Sequence, residues 1–237
     1  MTGRGCIDRL SGVIYLALFA GGCGGGTPGP VVPVGAVPAT PAQAEAWFRS
    51  FEQAGPVLHR FRWSYQDLSG SAGGRGTARI TAGDSLRFDV VGPLGSGRGA
   101  AFIVGDTAEW AEPEDEVRKL VPNYPLLWAM LGVPRLPAAF DEVSRFEDAK
   151  LVGWRFVEGT DTVEVARLNG PPVRLIADVR QADGRLGRVE TRFGPDGVPV
   201  SARLIVPGTP ARLDITYVST SRTEGFPPDT WRRPEQP

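Results

Sequence analysis

The spacing of apolar residues changes once along this chain, near residue 56, and the change separates a helical stretch from a long series of strands. Ala44, Trp47, Phe48, Phe51 and Ala54 recur at helical spacing, which gives one strongly apolar helix face. Thr40 is placed to cap that helix, Pro41 occupies its first turn, and Gly55-Pro56 ends it. From Val57 the period is two. Phe61, Trp63 and Tyr65 alternate with Arg60, Arg62 and Ser64, and Leu86, Phe88 and Val90 alternate with Arg87 and Asp89. The same alternation marks Val152–Phe156, Val173–Val179, Val198–Val206 and Leu213–Tyr217. Turn signals at Gly73-Gly74, Gly83-Asp84, Asp183-Gly184, Asp196-Gly197 and Gly208-Thr209-Pro210 separate the runs. The pattern predicts a mainly β, antiparallel meander of about ten strands with one apolar and one wet face.

The alternation breaks in the middle. Glu112–Val121 is acidic and then mixed. Pro125–Leu131 is an apolar helix candidate ended by Gly132 and Pro134. Leu136–Phe140 continues as an apolar connection, and strand patterns resume by Ala149. A sheet with one apolar face must cover it, and two helices are few for so many strands. The sheet is therefore expected to curl around them and leave concave apolar surface partly filled by helix and partly vacant, a default site for an apolar ligand. Phe61, Trp63, Tyr65, Leu86, Phe88, Val90, Trp154 and Phe156 would line that hollow, with Trp128 and Met130 as its lid. The same rows serve equally as a filled core with Trp128 and Met130 as a packing plug.

A different apolar run opens the chain. Arg4 and Arg9 precede Leu10–Ala20, and Ala20-Gly21-Gly22 lead into Cys23. A basic flank, a short apolar core and small residues make a secretory signal, and the run falls short of the roughly 20 residues that span a bilayer. Small residues ending at a cysteine resemble the lipobox of bacterial lipoproteins, with Ala20 where that family prefers Leu. That resemblance implies cleavage before Cys23 and acylation of its thiol; the alternative is ordinary cleavage into a free secreted protein. The expected organisation is a signal over residues 1–22, an acylated cysteine and flexible Gly/Pro tether over 23–39, one folded domain over 40–231, and a tail over 232–237. Cys6 falls in the signal, so Cys23 has no intramolecular disulfide partner and no thiol–metal cluster is available.

Composition narrows the chemistry. The 237 residues are 41% hydrophobic and 22% charged with a net charge of -1, so there is no basic excess to hold phosphates and no nucleic-acid partner is expected. Gly95–Ala100 has the look of a phosphate loop but lacks the Lys-Ser/Thr ending and opens no helix, which makes it a hairpin loop. Glu112, Glu114, Asp115 and Glu116 fit no EF-hand spacing and read as a solvated acidic turn. His59 is the sole histidine, and no Gly-x-Ser-x-Gly elbow accompanies it. No metal, cofactor or catalytic residue is expected, and the protein reads as a non-enzyme and a monomer.

Two stretches carry a family resemblance. Ser85–Ser96 runs an alternating strand into Pro93-Leu94-Gly95, and Trp128–Pro134 ends in Leu131-Gly132-Val133-Pro134. With the signal, tether and amphipathic helix before them, they resemble the LolA/LolB lipoprotein-carrier superfamily, most closely its LolB branch of outer-membrane lipoprotein receptors. The resemblance implies an unclosed β-barrel of about eleven strands curled around an N-terminal helix and a short helical lid. It also implies a lipid-anchored protein facing the periplasm that takes acyl chains of lipoproteins from a soluble LolA-like carrier and inserts them into the membrane. Pro93, Leu94 and Gly95 would form the loop that inserts cargo. The rival expectation is a structural or interaction lipoprotein with a filled core.

Overall fold

Thr40 caps the first helix as its sequence predicts, and the cap is reciprocal. In this computed structural model, which describes residues 30–81, 84–93, 97–120, 123–208 and 210–233, Gln43 N donates to the Thr40 hydroxyl while the Gln43 side chain accepts from Thr40 N. The helix, α1 (Pro41–Arg49), is shorter than the apolar spacing suggested, and Phe51 lies in the turn beyond it.

All strands among the described residues belong to one sheet. Before α1 runs β1 (Val37–Pro38), and after it come β2 (Val57–Gln66), β3 (Ser71–Ile80), β4 (Ser85–Val91), β5 (Arg98–Val104) and β6 (Thr107–Glu112). Two helices follow, α2 (Glu114–Leu120) and α3 (Tyr124–Met130). The chain then forms β7 (Glu142–Glu147), β8 (Leu151–Glu158), β9 (Asp161–Leu168), β10 (Arg174–Gln181), β11 (Gly184–Phe193), β12 (Pro199–Val206) and β13 (Ala211–Arg222). The order is β1-β7-β8-β9-β10-β11-β12-β13-β2-β3-β4-β5-β6, every pair antiparallel. Two meanders are thus sewn together along β13 and β2, and the far edges, β1 and β6, do not meet. The fold is an unclosed, mainly β half-barrel of 13 strands.

One turn signal moved. Gly73-Gly74 lies inside β3, and the turn before it is made by Asp67, whose carboxylate accepts from the backbone N–H of Ser69 and Gly70. Glycine serves β3 for a packing reason: the Phe61 ring sits 2.3 Å from where a Cβ of Gly76 would be. The acidic stretch is no simple turn: Glu112 ends β6 and Glu114 opens α2. Gly95–Ala100 is shorter as a loop than expected, since β5 starts at Arg98. Strand structure also resumes earlier than Ala149, at Glu142.

The Gly/Pro stretch expected to run free to Ala39 is docked from Val31 onward. Val31 N donates to Glu164 Oε2 at 2.6 Å, Arg155 Nη2 donates to Val32 O at 2.6 Å, and Arg155 closes the clasp on Glu164 at 2.8 Å. Val31 packs with Ala166 and Ile176 on the outer face, and Val32 lies closely on Gly153, where a side chain would be a tight fit. Ala39 N then donates to Val143 O, which lays β1 on the edge of β7. At the other end of the chain, Trp231 O accepts from Trp110 Nε1 and its ring contacts Phe102, so the C-terminal turn covers the outside of β5 and β6. Glu164→Ala should remove the acceptor for Val31, leave Arg155 without its carboxylate and cost roughly 1–3 kcal/mol. Amide exchange at Val31 and Val32 should rise well before exchange in the β9–β10 ladder; equal protection in the variant would show that the clasp does not hold the segment.

Candidate functional site

The concave face of the sheet is occupied by α3. Asn123 caps it by accepting from Leu126 N, and Pro125 sits in its first turn. Its C-terminus closes in a Schellman arrangement, with Val133 N donating to Trp128 O and Gly132 N to Ala129 O. Gly132 takes φ 79°, and Phe193 and Pro199 crowd the place where its side chain would be. Every residue from Leu126 to Leu131 is buried to 1% exposure or less, so the helix is apolar all round because it is enclosed all round. Its principal neighbours are β10, β11 and β12, and Gly187 of β11 is bare where Leu126 presses against it.

Strand side chains hold the backbone end of this helix. Tyr217 of β13 donates to Met130 O at 2.6 Å, and Thr191 of β11 donates to Ala129 O at 2.8 Å. Both carbonyls lie in the last turn, where Ala129 O is shared with Gly132 N and Met130 O accepts from the side chains of Tyr217 and Thr191. Trp128 Nε1 donates to Gly105 O in the β5–β6 turn at 2.5 Å. The Arg135 guanidinium lies 4.3 Å from the Trp128 ring centroid and pairs with Asp84 at 2.9 Å. The connection from β6 to β7 is therefore fastened to both meanders.

Around α3 the structure places Phe61, Leu86, Phe88, Val90, Trp128, Met130, Trp154 and Phe156 in one packed cluster, with Trp63 and Tyr65 partly exposed at its margin. Phe61 and Phe88 stack at 5.5 Å, Phe48 reaches Phe156 at 5.7 Å, and Trp47 reaches Trp154 at 6.3 Å. The space that a shortage of helix was expected to leave vacant is taken by α3 and Leu131–Val133. Pro93 is exposed at the end of β4, while Leu94 and Gly95 lie outside the described residues, as does Cys23.

Open space begins at the rim. A cleft of about 890 Å³ lies between the end of α1, the β9–β10 turn and the β11–β12 turn, lined by Phe51, Gly132, Arg167, Val173 and Phe193 among others. A smaller one of about 420 Å³ lies across Glu52 and is lined by Phe48, Trp128, Arg135, Asp84 and Asp106. Sequence reasoning missed the larger cleft because its lining comes from three turns far apart in the chain. No group of three or more His, Cys, Asp or Glu side chains able to hold a metal occurs among the described residues. No helix among them is long and apolar enough to cross a membrane.

His59 is a core residue. It is 1% exposed, its Nδ1 lies 2.8 Å from the Thr220 hydroxyl, and its ring meets Tyr217 edge-on at 5.3 Å. Its Nε2 has no hydrogen-bond partner. Burial pushes its pKa down from 6.5 to about 4, so the ring is neutral at physiological pH and supplies no catalytic charge. Because the folded pKa lies below the unfolded one, the unfolded chain binds the extra proton between these limits. Stability contributed by His59 should be complete above pH 6.5 and fall by about 3 kcal/mol as pH drops through 4. Urea titrations from pH 4 to 7 should show this slope, and His59→Leu should flatten it; an unchanged slope would assign the acid sensitivity elsewhere.

No protein-family model matches this chain, and no curated protein matches it. Solved structures do resemble it. A LolA superfamily protein from Nitrosomonas europaea matches with 8% identity and a TM-score of 0.48, over 82% of this chain and 99% of the other. A domain assigned as an outer membrane lipoprotein-sorting protein, from Vibrio parahaemolyticus, matches with 9% identity and a TM-score of 0.44, over 79% and 94%. A DUF1329 family protein from Desulfovibrio piger matches with 9% identity and a TM-score of 0.41, over 82% and 98%.

Proposed function

We propose that this chain is a cell-envelope lipoprotein that accepts acyl chains against the concave face of its sheet and passes them to the membrane. One observation carries the reading. The apolar face of an unclosed sheet is covered by two short helices, α3 and α1, and a cleft lined in part by Phe51, Val173 and Phe193 opens where α3 ends, at Gly132. Acyl chains entering there would replace helix-to-sheet contacts by chain-to-sheet contacts, at roughly 0.8 kcal/mol per buried CH₂. Phe61, Phe88, Trp154 and Phe156 would become the lining, and Trp128 and Met130 the lid. Cys23 would carry the anchor, Pro93-Leu94-Gly95 would meet the bilayer, and a soluble LolA-like carrier would deliver cargo to a monomeric, LolB-like receptor on the periplasmic face of the outer membrane.

The packed core favours a second reading, a structural or interaction lipoprotein in which α3 never leaves. An environment-sensitive apolar dye separates the two. The first reading expects the protein to bind the dye, palmitate to displace it, and Tyr217→Phe to increase dye uptake several-fold by removing a hydrogen bond of about 1 kcal/mol from Met130 O. Dye binding no better than to a compact control protein, in both wild type and variant, would leave only the second.

The anchor and the loop have their own tests. Cys23→Ala should move the protein out of the membrane fraction. Leu94→Glu should change the melting temperature little, since surface substitutions usually cost within about 0.5 kcal/mol. It should also slow transfer of acylated cargo to liposomes, because a carboxylate resists the lipid interface. A collapse of the melting temperature would make Leu94 a core residue, and a stable variant with full transfer would remove the loop from the mechanism.

A further inference from the structure

The concave face of β9 carries one cation, at the opposite end of the strand from Asp161. Val163 and Val165 point to the core, and Arg167 follows them on the same face, flanked by Val152 of β8 and Leu175 of β10. Two residues from a buried valine, at the strand end, Arg167 is exposed to the large rim cleft rather than to the outer surface. The outer face is different: there Arg155 pairs with Glu164, Arg185 with Asp178 and Arg203 with Asp214. No ion pair to Arg167 occurs among the described residues. Its guanidinium lies 6.0 Å from the centroid of the Phe51 ring, a weak contact for a cation. Glu52 is the one acid lining the cleft, and its charge acts on Arg135 across the neighbouring one. A cation left without a carboxylate at the mouth of an apolar cleft is placed to bind an anion whose remainder is apolar.

We propose that the rim cleft binds a single-chain amphiphile with an anionic head. The tail lies among Phe51, Val173 and Phe193 and the carboxylate or phosphate sits on Arg167. This rests on the acyl-chain reading above and deepens it, because it assigns the place where a chain enters and the charge its head must carry. A guanidinium offers a two-pronged set of donors that fits either oxyanion, whereas an uncharged alcohol head gains far less from it. The cleft is within the size range of small-ligand sites, roughly 300–1,000 Å³.

The test uses the full chain reconstituted in phosphatidylcholine vesicles and three photoactivatable probes with the same sixteen-carbon diazirine chain: palmitate, lysophosphatidic acid and hexadecanol. Palmitate or the lysophosphatidic acid should label peptides containing Phe51 and Phe193 about tenfold more than hexadecanol, the difference expected for a charge-assisted contact. Whichever anion labels more identifies the head. Arg167→Gln should reduce anion labelling to the alcohol level with an unchanged melting temperature, and Arg167→Lys should restore much of it. Equal labelling by all three probes in the wild type, or undiminished discrimination in Arg167→Gln, would overturn the assignment. Labelling by all three elsewhere on the concave face would leave the acyl-chain reading standing and remove this one, whereas no labelling at all would remove both.

Discussion

A sheet that is apolar on one side must bury that side, and here the centre of that burial is one short segment, Leu126–Val133, with α1 covering Trp154 and Phe156 beside it. β11 gives up a side chain at Gly187 so that Leu126 can approach, and the turn at Gly132 fits only because no Cβ stands between it and Phe193 and Pro199. The aromatic residues of β2, β4 and β8 belong to the same buried cluster, Phe61 stacking on Phe88 while Trp154 and Phe156 reach Trp47 and Phe48 of α1. Because the segment links β6 to β7, which lie toward opposite edges of the sheet, the covalent path that places α3 inside also spans the gap the barrel leaves open. Closure through strands would have removed the edges; closure through a helix covers the apolar face and leaves them.

The outer face answers the same curvature with charge. Alternation puts arginines and carboxylates opposite one another on neighbouring strands, and several meet as pairs. The most enclosed is Asp178, which has no exposed side-chain surface and lies within ion-pair distance of Arg180, Arg185 and Arg188. Desolvation pushes its carboxyl pKa up and the arginines pull it down, with desolvation the larger effect. Glu164 does comparable work on β9, three strands in from the β1 edge, but its partner is the N-terminal segment at Val31. A buried carboxylate with one backbone donor and one guanidinium is well satisfied only while Val31 stays in place, so the sheet and the segment are ordered together.

Strands and core positions were legible in the sequence where alternation was uninterrupted, as in Phe61–Tyr65, Leu86–Val90 and Trp154–Phe156, because period-two patterning and burial on one face are the same fact. β3 was not legible. Its glycines carry a turn signal locally, and what keeps them in a strand is pairing with β2 and the close approach of Val91 O at Gly74 and the Phe61 ring at Gly76, contacts that no local rule contains. The extent of the N-terminal segment was hidden for a similar reason: Val31-Val32 looks like any pair of apolar residues in a Gly/Pro stretch until Glu164, far along the chain, supplies the acceptor. The hollow was inferred from a count of helices. That count missed that a helix with no polar face covers more sheet than an amphipathic one, since all of its sides can be enclosed. The rim cleft, and Arg167 within it, required the β9–β10 and β11–β12 turns to be brought beside α1, which only the strand order provides.

A filled core and a carrier's function are compatible under one physical condition. Apolar burial has no direction, so an acyl chain lying where α3 lies recovers most of what the sheet loses when α3 moves. The directional contacts are few and sit at identified atoms: Tyr217 and Thr191 on the last carbonyls of α3, Trp128 on Gly105, and Arg135 bridging Trp128 and Asp84. Those contacts set the difference between the two states, because the ligand cannot reproduce them. They are also distributed unevenly. Tyr217 and Thr191 hold the end of the helix that borders the open cleft, and Trp128 and Arg135 hold the side that faces the β5–β6 turn. Displacement starting at the cleft meets two neutral hydrogen bonds first, each worth about 1 kcal/mol net, before it reaches the indole and guanidinium. An apolar chain arriving beside Arg167 would therefore enter where the cover is fastened most weakly.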